Sequence, residues 1–193
     1  MSTAIAERLY TCDEFDALPN PDDGRKMELV DGRVVYSGVI GRTHGRVTTA
    51  TATWLYNFVR HRDLGEMLIS TGFRLRDGSR LPNWVLGPDV SFVRLSRVPP
   101  RHGSRTGSLH FAPDLAVEVI QLKDTENKLG ARVSAYFQAA TPIVWVVRPR
   151  SKTVEVLTLD GRRAEFRLGD TLTSAEAGFE VEGFTLPLSE VFR

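Results

Sequence analysis

The stretch that most constrains this chain is LAVEVI, Leu115 to Ile120, which follows Pro113 and Asp114. Along an extended strand its apolar side chains point to both faces. Such a strand is stable only when covered on both sides, so it belongs inside a sheet between packed layers. Its one polar member is Glu118. An ionised carboxylate inside a doubly covered strand costs several kcal/mol unless positive charge meets it. A second run of the same kind, IVWVV (Ile143 to Val147), reads as another buried strand. Between the two, Leu129, Val133, Tyr136, Phe137 and Ala140 fall at helical spacing and predict an amphipathic helix from about Asp124 to Ala140.

The flanking segments fill in the architecture. Thr11 is placed to cap a short helix over Cys12 to Leu18, with Asp13 and Glu14 in its first turn and Pro19 and Pro21 as its stop. KMELV and RVVYS form a hairpin around Asp31-Gly32. Val47, Thr51, Trp54, Leu55, Phe58 and Val59 predict a long helix from about His44 to Arg62, with Thr43 as its cap. EMLIS, FRLR and GPDVSFV read as strands, and KTVEVLTL and RRAEFRL as a second hairpin with an Asp-Gly turn. PLSEVF closes the chain with one helical turn. This order predicts an α+β or α/β fold, a mixed central sheet flanked by helices with added β-hairpins, in one domain over 1–193. Trp54, Phe58, Tyr136 and Phe137 are expected in the core.

Several function classes drop out. A net charge of +1 is not that of a strongly basic nucleic-acid binder, although arginines cluster locally at Arg42 to Arg46, Arg60 to Arg62 and Arg94 to Arg105. With Cys12 as the one cysteine, no internal disulfide forms. No apolar run approaches the roughly 18 residues that span a bilayer, and the N-terminus lacks the pattern of a signal peptide, so a cytoplasmic protein is expected. There is no phosphate-binding glycine loop. In GSRTG the serine stands one place too early for a nucleophile elbow. None of the histidines pairs with another, or with Cys12, at zinc-ligand spacing.

What remains is a set of carboxylates and a lysine. Asp89 follows Pro88 at a strand start, and Glu118 lies in the next strand-like run. If those strands pair, the two carboxylates converge. Close carboxylates repel, and a divalent cation reverses this by favouring both ionised forms. Oxygen ligands without a Cys or His pair favour Mg2+ or Mn2+. A metal is therefore the expected partner of Glu118. Lys128 stands four places after Asp124 at the predicted helix start, where both would share a face and the ammonium could stabilise charge on a metal-bound phosphate.

PDVSFV, PDLAVEVI, the D-x-x-x-K at the helix start and IVWVV together resemble the PD-(D/E)XK nuclease superfamily, and within it the restriction-endonuclease-like Uma-two branch. MELVDG (Met27 to Gly32) matches the branch's E-L-I-D-G segment, and His44 matches a histidine that opens its long helix. The likeness runs from about Met27 to Leu159. It implies a Mg2+- or Mn2+-dependent nuclease acting on nucleic acid, DNA for a restriction-type enzyme, with Asp89, Glu118 and the main-chain carbonyl of Val119 as metal ligands. It makes Lys128 the catalytic lysine, because the superfamily position two after the second acid is Ile120. Glu28 and His44 fall on further family positions. Where the branch usually has Ser-Pro-Ser, this chain has Gln121-Leu122-Lys123, which leaves Lys123 as an alternative donor. The alternative function is a catalytically silent nucleic-acid-binding or interaction module on the same fold.

The polar segment from Arg94 to Ala112 joins the two acid-bearing strands. Its Arg97, Arg101 and Arg105 are candidates for phosphate contacts, since guanidinium forks suit phosphate oxygens. The segment is expected to be mobile when free. A solvated loop or a homodimer contact is the other reading of it.

Overall fold

The computed structural model describes residues 8–23, 25–38, 40–76, 83–98, 107–122 and 124–193. In chain order these form α1 (Cys12–Asp16), β1 (Met27–Val30), β2 (Arg33–Tyr36), α2 (Arg42–His61), β3 (Gly65–Ile69), β4 (Phe73–Arg76), β5 (Trp84–Leu86) and β6 (Val90–Arg94). There follow β7 (Leu115–Val119), α3 (Glu126–Gln138), β8 (Ile143–Arg148), β9 (Thr153–Thr158), β10 (Arg163–Arg167), β11 (Thr171–Thr173), α4 (Ser174–Ala177), β12 (Thr185–Pro187) and α5 (Leu188–Val191). A six-stranded sheet runs in the order β10-β9-β8-β7-β6-β3, and a four-stranded sheet in the order β2-β1-β5-β4. β11 and β12 pair separately. The β7–β8 pair is parallel, with α3 as its crossover, and its neighbours in the large sheet are antiparallel. The mixed sheet flanked by helices is as expected.

The period-two alternation of β7 and β8 sorts the core into two layers. Leu115, Val117 and Val119 of β7, with Ile143, Trp145 and Val147 of β8, face α2 and the C-terminal elements. There they meet Leu55, Phe58, Phe179 and Leu188. Ala116, Val144 and Val146 face the other way, toward α3 and the smaller sheet, where they meet Leu129, Tyr136, Phe73 and Leu86. Glu118 lies in phase with Ala116, so its side chain emerges on the α3 side. Both faces of β7 are covered, and Glu118 is only 7% exposed.

Local chemistry explains most boundaries. Thr11 and Glu14 form a capping box: Thr11 Oγ1 accepts from the Glu14 amide at 3.2 Å, and Glu14 accepts from the Thr11 amide at 2.9 Å. Asp31 and Gly32, with φ of 53° and 74°, make the two-residue turn between β1 and β2. The second hairpin differs from a two-residue Asp-Gly turn. Thr158 bonds Arg162 across it, leaving Leu159, Asp160 and Gly161 as a three-residue loop with Gly161 at φ 88°.

Other boundaries depart from the sequence reading. α2 begins at Arg42, with Gly41 as its cap residue and no side-chain cap, so Thr43 lies inside the helix. α3 is capped by Thr125, whose hydroxyl accepts from the Lys128 amide at 3.3 Å. Asp124 therefore lies before the helix, where it accepts from the Gln121 amide at 2.7 Å, and it shares no helical face with Lys128. GPDVSFV splits: Gly87, Pro88 and Asp89 form the break between β5 and β6. β5, β11, β12 and α4 were not anticipated. Leu159, Tyr136 and Trp145 illustrate the range of aromatic and aliphatic placement: Tyr136 and Trp145 are fully buried, and Leu159 is exposed.

The described ends of the Arg94–Ala112 segment are fastened rather than loose. Leu95–Arg97 form a 3-10 turn, Leu109 bridges to Phe73, and Ser108 donates its hydroxyl to Asp16 at 2.8 Å. Arg101, Arg105 and Lys123 lie outside the described residues.

Candidate functional site

The register between β6 and β7 sets up the site. Val90, the first residue of β6, opposes Val117, which brings Asp89 beside the end of β7, where its carboxylate accepts from the Val119 amide. Asp89 at the start of β6 and Glu118 near the end of β7 lie close enough for the Asp89 charge to act on Glu118.

Glu118 is held by protein groups. Arg132 Nη2 and the Tyr136 hydroxyl both donate to its Oε1, each at 2.7 Å. Arg132 and Tyr136 are four apart on α3 and so lie on the stripe that covers this face of the sheet. The same guanidinium reaches across to the smaller sheet, where Nη1 donates to Glu28 Oε2 at 2.7 Å and Nη2 to Oε1 at 3.2 Å. Glu28 also accepts from the Gly87 amide at 2.8 Å and lies 3.0 Å from Lys26 Nζ. Lys26 in turn donates to the Gly87 carbonyl. One arginine therefore ties β1, β7 and α3 together through two buried carboxylates. Arg132 and Tyr136 thus supply positive charge and hydrogen bonds to Glu118 Oε1, partners beyond the metal that the sequence leads one to expect there.

The two acids respond differently to the same guanidinium. Burial raises the pKa of Glu28, but Arg132, Lys26 and the Gly87 amide outweigh it and bring the value down to about 2. Glu118 is buried more deeply, and Asp89 and Glu28 repel its charge. Burial wins over the Arg132 attraction, and its pKa lies above the ordinary carboxylate value. Burial and the neighbouring Glu118 carboxylate push the Tyr136 hydroxyl well upward, so it remains a donor.

Asp89 Oδ2 accepts from the Val119 amide at 2.7 Å and meets His44 Nε2 at 3.2 Å. A carboxylate only accepts, so His44 Nε2 carries the proton. Thr48 lies 3.4 Å from the other ring nitrogen, one helical turn along α2. Burial lowers the His44 pKa, and the bond to Asp89, the charges of Asp89 and Asp124 and a main-chain contact with Val119 more than offset this, leaving it raised.

The structure thus brings together Asp89, Glu118, Glu28, His44 and the Val119 main chain. Lys128 is exposed in the first turn of α3, one turn before Arg132 on the same helical face. Arg97 is not free to meet a phosphate: it donates to Asp114 at 2.9 Å and to the Ala112 carbonyl at 2.7 Å. The sequence reading assigns no role to Arg132 or Lys26 and places Tyr136 in the core, whereas all three join the network around Glu28 and Glu118. A signal for Arg132 existed. It falls three places after Leu129 and four before Tyr136, a charge on the apolar stripe of the very helix expected to cover Glu118.

The residues present suit a hard divalent cation. Among the described residues no donor occupies Glu118 Oε2 or Asp89 Oδ1, and the Val119 main chain lies beside them. No group of three or more acidic, His or Cys side chains is gathered for a metal among the described residues. A set of two carboxylates and a carbonyl completed by water is the kind that Mg2+ accepts.

A mixed sheet with paired acids at the break between two strands defines a restriction-endonuclease-like fold. A crystal structure from Anabaena variabilis, described as a putative nuclease, shares that fold with a TM-score of 0.77 at 18% identity, covering 94% of this chain and 97% of that one. The Uma-two family model, described as "Putative restriction endonuclease", matches residues 12–189, and the chain belongs to that family. No curated protein matches it. Among the described residues no helix is long and apolar enough to cross a membrane.

Proposed function

We propose that this protein is a divalent-metal-dependent nuclease that hydrolyses phosphodiester bonds at the junction of β6 and β7. The observation that carries the reading is the placement of Asp89 and Glu118 where the start of β6 adjoins the end of β7, each with one carboxylate oxygen open among the described residues. Asp89, Glu118 and the Val119 carbonyl are the groups that would hold Mg2+ or Mn2+. Such an ion, when bound, polarises the phosphoryl group and activates water as the nucleophile. His44 and the Val119 amide fix the Asp89 carboxylate, and Arg132 with Tyr136 fixes that of Glu118. Glu28 acts through Arg132 and is a positioning residue. Lys128, on the open side of the same helical stripe, is the group to meet the scissile phosphate.

One observation favours the second reading, a catalytically silent nucleic-acid-binding module: Glu118 has Arg132 as an ion-pair partner at 2.7 Å. Calorimetry with Mn2+ separates the two. Binding by the wild type, lost in Asp89→Ala and in Glu118→Ala, together with Mg2+-dependent cleavage of DNA or RNA, is expected of the enzyme. Equal heats in all three proteins and no cleavage leave the silent module.

A further inference from the structure

A cavity opens beside the acids. It holds about 1120 Å³. Its walls are the first turn of α2, the residues that follow β7 and the turn after β8. Because β7 and β8 are parallel, their C-terminal ends deliver Ile120, Leu122, Arg148, Pro149 and Arg150 to one place. His44 lines the cavity and also bonds Asp89, so the groove and the acid pair are continuous.

Three features define what fits. First, none of the described lining residues is acidic, and three are arginines. Arg148 is engaged, donating to Glu126 at 2.7 and 3.0 Å. The side chains of Arg42 and Arg150 belong to exposed residues and make no hydrogen bond or ion pair with any described residue. Second, Ile120, Leu122 and Pro149 give the lining an aliphatic part, with Leu122 85% exposed. An exposed leucine lining the same cavity as guanidinium groups without a partner among the described residues suits a ligand with both apolar faces and negative charge. Third, the volume lies just above the roughly 300–1,000 Å³ of small-molecule pockets. That is room for a few nucleotides, not for a turn of duplex, whose bases are stacked away from an aliphatic lining.

We propose that this groove binds a single-stranded polynucleotide segment, with backbone phosphates on Arg42 and Arg150 and unstacked bases against Ile120, Leu122 and Pro149. The assignment rests on the nuclease reading for the role of the adjoining acids, but the binding itself does not require the metal.

The test is fluorescence anisotropy with labelled single-stranded and duplex oligonucleotides, DNA and RNA, in EDTA over a salt series. The wild type is expected to bind single strands more tightly than duplex. Arg42→Ala and Arg150→Ala should each weaken single-strand binding and flatten the log–log salt slope by about 0.7, additively in the double variant. Leu122→Ser should weaken binding with the slope kept. Arg97→Ala, already tied to Asp114, should leave both unchanged. Melting temperatures of the variants control for folding. The proposal is overturned if the wild type does not bind, if duplex binds as tightly as single strands, or if the double variant keeps wild-type affinity and slope. Groove-dependent binding without metal-dependent cleavage removes the nuclease reading and leaves the groove. Cleavage with wild-type binding in the double variant does the reverse.

Discussion

Replacing Glu28 by glutamine tests the ion network through acid stability. Glutamine stands in for the protonated carboxyl, so the comparison isolates the charge. Glu28 is held at about 2 in the folded protein against an ordinary 4.5. At about 1.4 kcal/mol per pH unit, that depression contributes about 3 kcal/mol when the group is ionised in both states. The folded pKa is the lower of the two, so the unfolded chain takes up the proton first. The contribution is therefore complete above about 4.5 and is lost as the pH falls toward about 2. Urea denaturation across this range is the assay. Glu28→Gln should be less stable than the wild type by about 3 kcal/mol at neutral pH, with the gap closing steadily in acid until the two curves meet. A gap that stays constant from neutral pH to about pH 2 would mean that glutamine merely packs badly, and no gap at neutral pH would mean that Arg132 and Lys26 do not stabilise Glu28.

Other substitutions probe the rest of the network. Arg132→Met leaves two buried acids short of a partner and should cost about 3–5 kcal/mol at neutral pH, with part of the loss recovered by adding Glu118→Gln; equal losses in the single and double variants would deny the Arg132–Glu118 coupling. Tyr136→Phe removes one donor to Glu118 and should cost about 1–3 kcal/mol by thermal denaturation, and an unchanged melting temperature would show that water takes its place. Lys128→Ala should lower turnover by about a hundredfold with Mn2+ affinity unchanged, as for loss of one preorganised contact; full activity would remove Lys128 from the phosphate.

Elements whose cause is local were legible in the sequence. The Asp31-Gly32 hairpin, the Thr11 cap and the strands Leu115–Val119 and Ile143–Arg148 need only turn chemistry, capping or a continuous apolar run. β5 was not legible, because three residues carry too little pattern and Leu29 of β1 and Phe73 of β4 decide its pairing. The same division runs through the site. Asp89 and Glu118 stood out as an acid after a proline and an acid inside an apolar strand. Arg132 showed only as a charge on the apolar stripe of its helix, since its partners lie on two other elements, and nothing near Arg97 in sequence announced that Asp114 would claim it.

The Glu28–Arg132 bridge joins residues 104 positions apart. A contact of that span carries a high loop-closure cost, so it forms late, after the local hairpins and helices. A chain still emerging from the ribosome presents Glu28 without its arginine until α3 has been made. In kinetic terms, Glu28→Gln should behave as a low-φ substitution, speeding unfolding at neutral pH while leaving the refolding rate nearly unchanged. The bridge then acts as a latch on the finished molecule, and the lifetime of the native state, rather than the speed of reaching it, is what the buried charges set.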